Sequence, residues 1–178
     1  MVTIRMKSWV AAVHIVLLTA TLSFAAPPRT LRATVERVAD GDTVVATSEN
    51  GTRLRIRLLG IDAPEVPRGK TLGQPYAVEA RHYLARLAIN RSVQVELFGP
   101  DVYKRNLAIL WVEGANINVA MVRAGLAEVY RGVRCEVYCR ELTEAEARAQ
   151  RERAGMWALD RYESPANYRK RVRPSPHG

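Results

Sequence analysis

Two aspartates, one glutamate and two arginines (Asp42, Asp62, Glu65, Arg57 and Arg105) fall in three short segments of this 178-residue chain. The segments are Asp40-Gly41-Asp42-Thr43, Arg57-Leu58-Leu59-Gly60-Ile61-Asp62-Ala63-Pro64-Glu65 and Asp101-Val102-Tyr103-Lys104-Arg105. Carboxylates supply hard oxygen ligands for a divalent cation, and guanidinium groups supply forked donors that match the oxygens of a phosphate. Brought together, these groups have the chemistry to hold a metal, activate a water and cut a phosphodiester. Taken singly each reads more simply. Asp40-Gly41-Asp42 is an ordinary turn pattern, and each arginine is a surface charge in a basic chain.

The charge balance agrees with a polyanionic target. Lys and Arg number 27 against 18 acidic residues, a formal charge of +9. Such an excess favours nucleic acid or an anionic membrane surface without choosing between them. The three histidines, His14, His82 and His177, are scattered, so designs built on a catalytic histidine or a zinc cluster lack their parts. No glycine-rich loop ending in Gly-Lys-Ser/Thr occurs, which excludes a P-loop nucleotidase.

The flanks read differently from the centre. Arg5 and Lys7 precede an uncharged stretch from Ser8 to Ala26, and Ser23-Phe24-Ala25 offers small residues before a cut after Ala25. This predicts a signal peptide over 1–25 and export to the periplasm or medium. The alternative is an uncleaved membrane anchor through residues 8–26. In an oxidising compartment Cys135 and Cys139 can close a small loop, worth roughly 2 kcal/mol by chain entropy. Two free thiols are the other reading. Residues 164–178, with Arg169-Lys170-Arg171-Val172-Arg173, read as a disordered basic tail that the fold does not need.

Between the flanks, over 26–163, the pattern predicts one domain. Strands are expected at Leu31–Val38, Val44–Thr47 and Arg53–Ile61, with Asn50-Gly51 as a tight turn. In the third strand Leu54, Ile56 and Leu58 alternate with Arg53, Arg55 and Arg57, which sends the arginines away from the core. Residues 66–74 are an exposed loop, and a helix follows over about 75–89, with Asn90 suited to its end. Further strands are expected at 93–97 and 106–112. Asn116 caps a short helix ending at Gly125, and Thr143 with Glu146 forms a capping-box pattern opening a last helix stopped by Gly155. The predicted class is α+β: a five-stranded OB-type barrel with about three α-helices.

With those three segments in this order, the chain resembles the thermonuclease family, typified by staphylococcal nuclease, from about Arg32 to about Trp157. The chain is expected to be a monomer. The resemblance implies a calcium-dependent endonuclease that acts on DNA and/or RNA and leaves 3′-phosphate ends. It implies that Asp42, Asp62 and the carbonyl of Ala63 hold Ca²⁺ and that Glu65 is the general base. Arg57 and Arg105 would clamp the phosphate, and Tyr103 would contact it. Asp42, Glu65 and Arg105 are expected on a polar, solvent-open face of the barrel. Val102 and Arg131 depart from the family's lysine and nucleotide-flanking tyrosine, which bears on affinity and base preference. A copy that had decayed to a noncatalytic binding module would have lost some of the charged set, and none is missing.

Overall fold

The computed structural model describes residues 28–132 and 137–172. The leader expected over 1–25 and Cys135 lie outside the described residues. Among those described, no helix is long and apolar enough to cross a membrane.

Alternation of aliphatic and charged residues builds the barrel. Strands β1 (Arg29–Asp40), β2 (Thr43–Ser48) and β3 (Arg53–Leu58) form an antiparallel meander. In β3 the leucines and isoleucine are buried and Arg53 and Arg55 are exposed, as period two requires. A two-residue strand β4 (Ile61–Asp62) follows, and helix α1 (Ala77–Ala88) lays Ala80, Leu84 and Ala88 on the barrel. Asn90, at φ 57°, ends the helix in the left-handed conformation that asparagine tolerates, and its N–H donates to Val35 O. Strand β5 (Ser92–Pro100) returns beside β1, and β6 (Asn106–Val112) pairs antiparallel with β5 and parallel with β3. That parallel pair closes the sheet into a five-stranded barrel, ordered β3-β2-β1-β5-β6. Val35, Val44, Ile56, Leu58, Val95 and Leu110 fill it.

The remaining elements cover one side. After β7 (Ala115–Asn116), Asn116 caps α2 (Ile117–Arg123) by accepting from Val119 N at 3.1 Å, as its position predicted. A short strand β8 (Glu128–Val129) pairs with β4. Helix α3 (Cys139–Arg151) begins one turn earlier than the Thr143 pattern implied. Thr143 lies inside it and bonds back to Cys139 O at 2.8 Å, while Glu146 turns inward to accept from Val129 N. A capping box needs free N–H groups at a helix start, and here they are already in the helix. Cys139 is disulfide-bonded. A 3₁₀ turn, Gly155–Ala158, follows.

The expected disordered tail is instead ordered over Pro165–Val172, as a fourth α-helix, α4. Ser164 and Pro165 carry the start signal: Ser164 Oγ accepts from Asn167 N at 3.2 Å, and proline occupies the first helical position. Tyr168 is 6% exposed, and its hydroxyl accepts from Gly73 N at 3.1 Å. Gln74 Nε2 donates to Glu163 O at 2.9 Å. The basic run hides one apolar anchor, and burial of Tyr168 outweighs the solvation of its neighbours. A chain ending at residue 164 is therefore expected to lose about 2 kcal/mol of stability. Its thermal midpoint, read by circular dichroism, should drop by about 4–8 °C. An unchanged midpoint would mean that α4 contributes nothing to the domain.

Candidate active site

Three features of the fold deliver the charged residues to one place. The β1–β2 turn carries Asp42, and a Cβ on Gly41 would come within 2.7 Å of both Ala63 and Ala80, so only glycine lets this turn lie against them. The β2–β3 register sets Thr43 opposite Arg57, and Leu58 N donates to Asp42 O at 2.8 Å, which places Asp42 beside Arg57. Buried Asn118 then fixes the β3–β4 link: its amide donates to Leu59 O and Ala108 O at 2.9 and 3.2 Å and accepts from Leu110 N. Asp62 follows three residues on, opposite Glu128.

Arg57 sits between the two aspartates. Its Nη2 donates to Asp62 Oδ1 at 2.9 Å, and its Nη1 is ion-paired with Asp42 Oδ2. Nη1 makes no hydrogen bond of good geometry, so a buried guanidinium donor is left incompletely used. Asp42 Oδ2 also accepts from Ala63 N at 2.8 Å, and Oδ1 from Thr43 Oγ1 at 3.1 Å. Burial pushes the Asp42 carboxyl up to about 6, even with Arg57 opposing, and nearby Asp40 adds to the rise. The same two aspartates raise the Arg57 guanidinium above its ordinary value, although its own burial acts in the opposite direction.

The expected solvent-open setting is corrected here. Asp42 and Asp62 are 6% and 1% exposed, and the Arg57 side chain only 12%. Arg57 does point out of the barrel, as its alternation predicted, but it lies between Asp42 and Asp62 rather than in solvent.

Glu65 is more accessible, its side chain 21% exposed. Gln74 pins its backbone from both ends, accepting from Glu65 N at 3.0 Å and donating its own N–H to Glu65 O at 2.8 Å. Arg169 of α4 reaches the same spot. Its Nη1 bonds Glu65 Oε1 at 2.8 Å and Asp62 Oδ1 at 3.0 Å, and its Nη2 bonds Asp62 Oδ2 at 2.8 Å. No local pattern marked this residue beyond a cluster of basic charge.

Arg105 lies at the start of β6, two residues before Leu107, the parallel partner of Arg57. Asp101 organises the turn that carries it, accepting from the Tyr103 and Arg105 backbone N–H groups, both at 2.9 Å, and from Arg105 Nε at 2.7 Å. Those bonds hold the Asp101 carboxyl below its usual range, although partial desolvation acts the other way. Tyr103 is 65% exposed, with the Arg105 guanidinium 5.4 Å from its ring centre. Arg131 is tied to Glu146 at 2.6 Å, and Glu128 accepts from the Tyr162 hydroxyl. Sequence reasoning missed Asp101, Gln74, Glu128 and Arg169. Of these only Asp101, four residues before Arg105, left a readable signal.

Asp42, Arg57, Asp62, Glu65, Tyr103 and Arg105 all line one cleft of about 1560 Å³. Among the described residues no group of three or more His, Cys, Asp or Glu side chains forms a ready metal cluster. The set implied by resemblance does not need one, since it uses two carboxylates and the Ala63 carbonyl. Three carboxylates, Asp42, Asp62 and Glu65, face the two guanidinium groups of Arg57 and Arg169, which leaves a net negative charge and hard oxygen donors of the kind a dication takes, so the donors fit.

An OB-type barrel with carboxylates and guanidinium groups converging in a cleft defines a barrel nuclease. The chain belongs to the staphylococcal nuclease homologues. The sequence model of the family described as Staphylococcal nuclease homologue matches residues 55–159. Endonuclease Htp3 of Saprolegnia parasitica is 33% identical over 167 residues, covering 80% of this chain and 77% of the relative. Micrococcal nuclease of Shigella flexneri is 32% identical over 177 residues, 93% of this chain and 96% of the relative. The protein named "Probable endonuclease LCL3" in Phaeosphaeria nodorum is 34% identical over 128 residues, 68% of this chain, which spans only 42% of that relative. Arg57, Asp62, Ala63, Glu65, Tyr103 and Arg105 fall inside the family match; Asp42 and Arg169 fall outside it.

Proposed function

We propose that this chain is an exported, calcium-dependent nuclease that hydrolyses phosphodiester bonds of DNA and/or RNA and leaves 3′-phosphate ends. The observation that carries the reading is the convergence of Asp42 and Asp62 on Arg57 in a cleft that also holds Glu65 and Arg105. Membership of a nuclease family supports nucleic-acid hydrolysis. The residue roles, the metal's identity, the product ends and export are this proposal's own.

Asp42, Asp62 and the Ala63 carbonyl would hold the ion. A bound Ca²⁺ supplies positive charge against the charge that develops on the phosphoryl oxygens. Glu65, the more open of the site's carboxylates, takes the proton from the attacking water as the oxygen–phosphorus bond forms. The bond from phosphorus to the 5′-oxygen breaks, and the 5′-oxygen leaves as a hydroxyl with a proton from solvent water. Arg57 and Arg105 donate to the phosphoryl oxygens, each fixed by aspartate partners in a geometry that suits forked donation. Tyr103 stands exposed beside Arg105, where it can touch the same phosphate. The basic excess draws the polyanion to the cleft.

The test is supercoiled plasmid and single-stranded RNA incubated with purified protein, with calcium or with chelator. Cutting in calcium that chelator abolishes is expected. If folded protein supplied with calcium leaves both substrates whole, the enzyme reading fails and a binding module takes its place.

A further inference from the structure

Asp62 has only two carboxylate oxygens, and Arg169 bonds both of them while also holding Glu65. Arg57, by contrast, touches only one oxygen of Asp62. These are the groups that the proposed function assigns to the metal and to the attacking water. A guanidinium and a dication cannot share the same lone pairs, and their charges repel in so buried a setting. Arg169 is held in its charged form by these carboxylates, so loss of a proton does not clear it from the site.

The element that delivers Arg169 is built to let go. Helix α4 has eight residues, too short to persist without packing. Its anchors lie on the N-terminal side of Arg169, at the Tyr168–Gly73 and Glu163–Gln74 contacts, both on the loop that follows Glu65. A crevice of about 250 Å³ remains between this loop and α4, lined by Pro64, Gly73, Gln74 and Tyr168 among others. The Arg169 side chain is also 31% exposed, so a path outward exists.

We propose that Arg169 and a divalent cation are alternative occupants of the Asp62–Glu65 site, so that α4 is a tethered counter-charge whose displacement sets the enzyme's metal affinity. The proposal rests on the metal reading above. Linkage makes the coupling reciprocal: docked α4 weakens metal binding, and bound metal loosens α4 by the same factor.

Calorimetric titration of the purified protein with calcium tests this. Arg169→Gln should bind calcium about 5- to 100-fold more tightly than wild type, the range of ordinary allosteric couplings. Tyr168→Phe, which removes the hydroxyl that accepts from Gly73 but leaves the carboxylates untouched, should shift affinity the same way by a smaller factor. In wild type, calcium should speed hydrogen exchange at the α4 amides; in Arg169→Gln that calcium effect should vanish. Equal or weaker calcium binding by a folded Arg169→Gln overturns the proposal while leaving the metal reading intact. If that variant does not fold, unchanged affinity in Tyr168→Phe overturns it instead. Should neither wild type nor variant bind calcium, the metal reading falls and this proposal falls with it.

Discussion

Glu65→Gln is expected to lower turnover by about 10²- to 10⁴-fold, the usual worth of a positioned general base. Glutamine keeps the size and the hydrogen-bonding reach, and the Gln74 contacts that pin residue 65 are to its backbone, so the loop should hold its shape. The Arg169 guanidinium loses one charged partner but keeps both oxygens of Asp62. The proposed ligands Asp42, Asp62 and the Ala63 carbonyl are unchanged, so calcium should still bind, and the loss should appear in kcat at saturating metal. Full-chain kinetics across a calcium series separates the two quantities. Turnover within a few-fold of wild type would move the proton to another acceptor and remove Glu65 from the mechanism.

Arg57→Ala should be the most damaging single change to the site, because it acts on folding and chemistry together. It strands the buried Asp42 carboxylate and leaves Asp62 with Arg169 as its one guanidinium partner; the two side chains are 9% and 1% exposed. Breaking a buried ion pair on one side costs about 3–5 kcal/mol, since the abandoned charge keeps its desolvation penalty. The catalytic loss comes on top, about 10²- to 10³-fold for a phosphoryl-oxygen donor. The two effects can be told apart with metal. A dication binding only the folded form neutralises the same aspartates, so calcium should restore much of the thermal midpoint without restoring activity. Arg57→Lys should retain more stability than Arg57→Ala but remain impaired, since an ammonium cannot bridge two carboxylates with a planar fork. If Arg57→Ala melts at the wild-type temperature in chelator, the ion pairs contribute nothing to the fold.

Each of these effects depends on how deeply the site is buried, and that was the part least visible in the sequence. The alternation of Arg53, Arg55 and Arg57 with Leu54, Ile56 and Leu58 correctly placed the arginines outside the barrel, because pleating acts within one strand. Asn116 declared a helix start and Asn90 a helix end for the same reason: a cap is chemistry over three or four residues. Ser164-Pro165 declared α4 just as plainly, and the basic run after it masked the signal. Thr143 and Glu146 had the letters of a capping box, but the helix had begun at Cys139, and tertiary contact with β8 claimed Glu146.

The residue types of the site, their order and their kinship to a nuclease family were properties of the sequence alone, because charge and donor chemistry belong to the side chain wherever it stands. Only the tertiary structure decided which charges meet. Asp42 and Ala63 are joined by a hydrogen bond 21 residues apart, and Arg169 and Asp62 by two that span 107. Neither separation has a periodic signature. They are set by closure of β3 on β6, by the glycine that lets the Asp42 turn approach Ala63, and by one buried tyrosine that seats α4. Once those contacts exclude water, an exposed turn aspartate becomes a carboxyl raised to about 6, and a tail arginine becomes the counter-ion of the site.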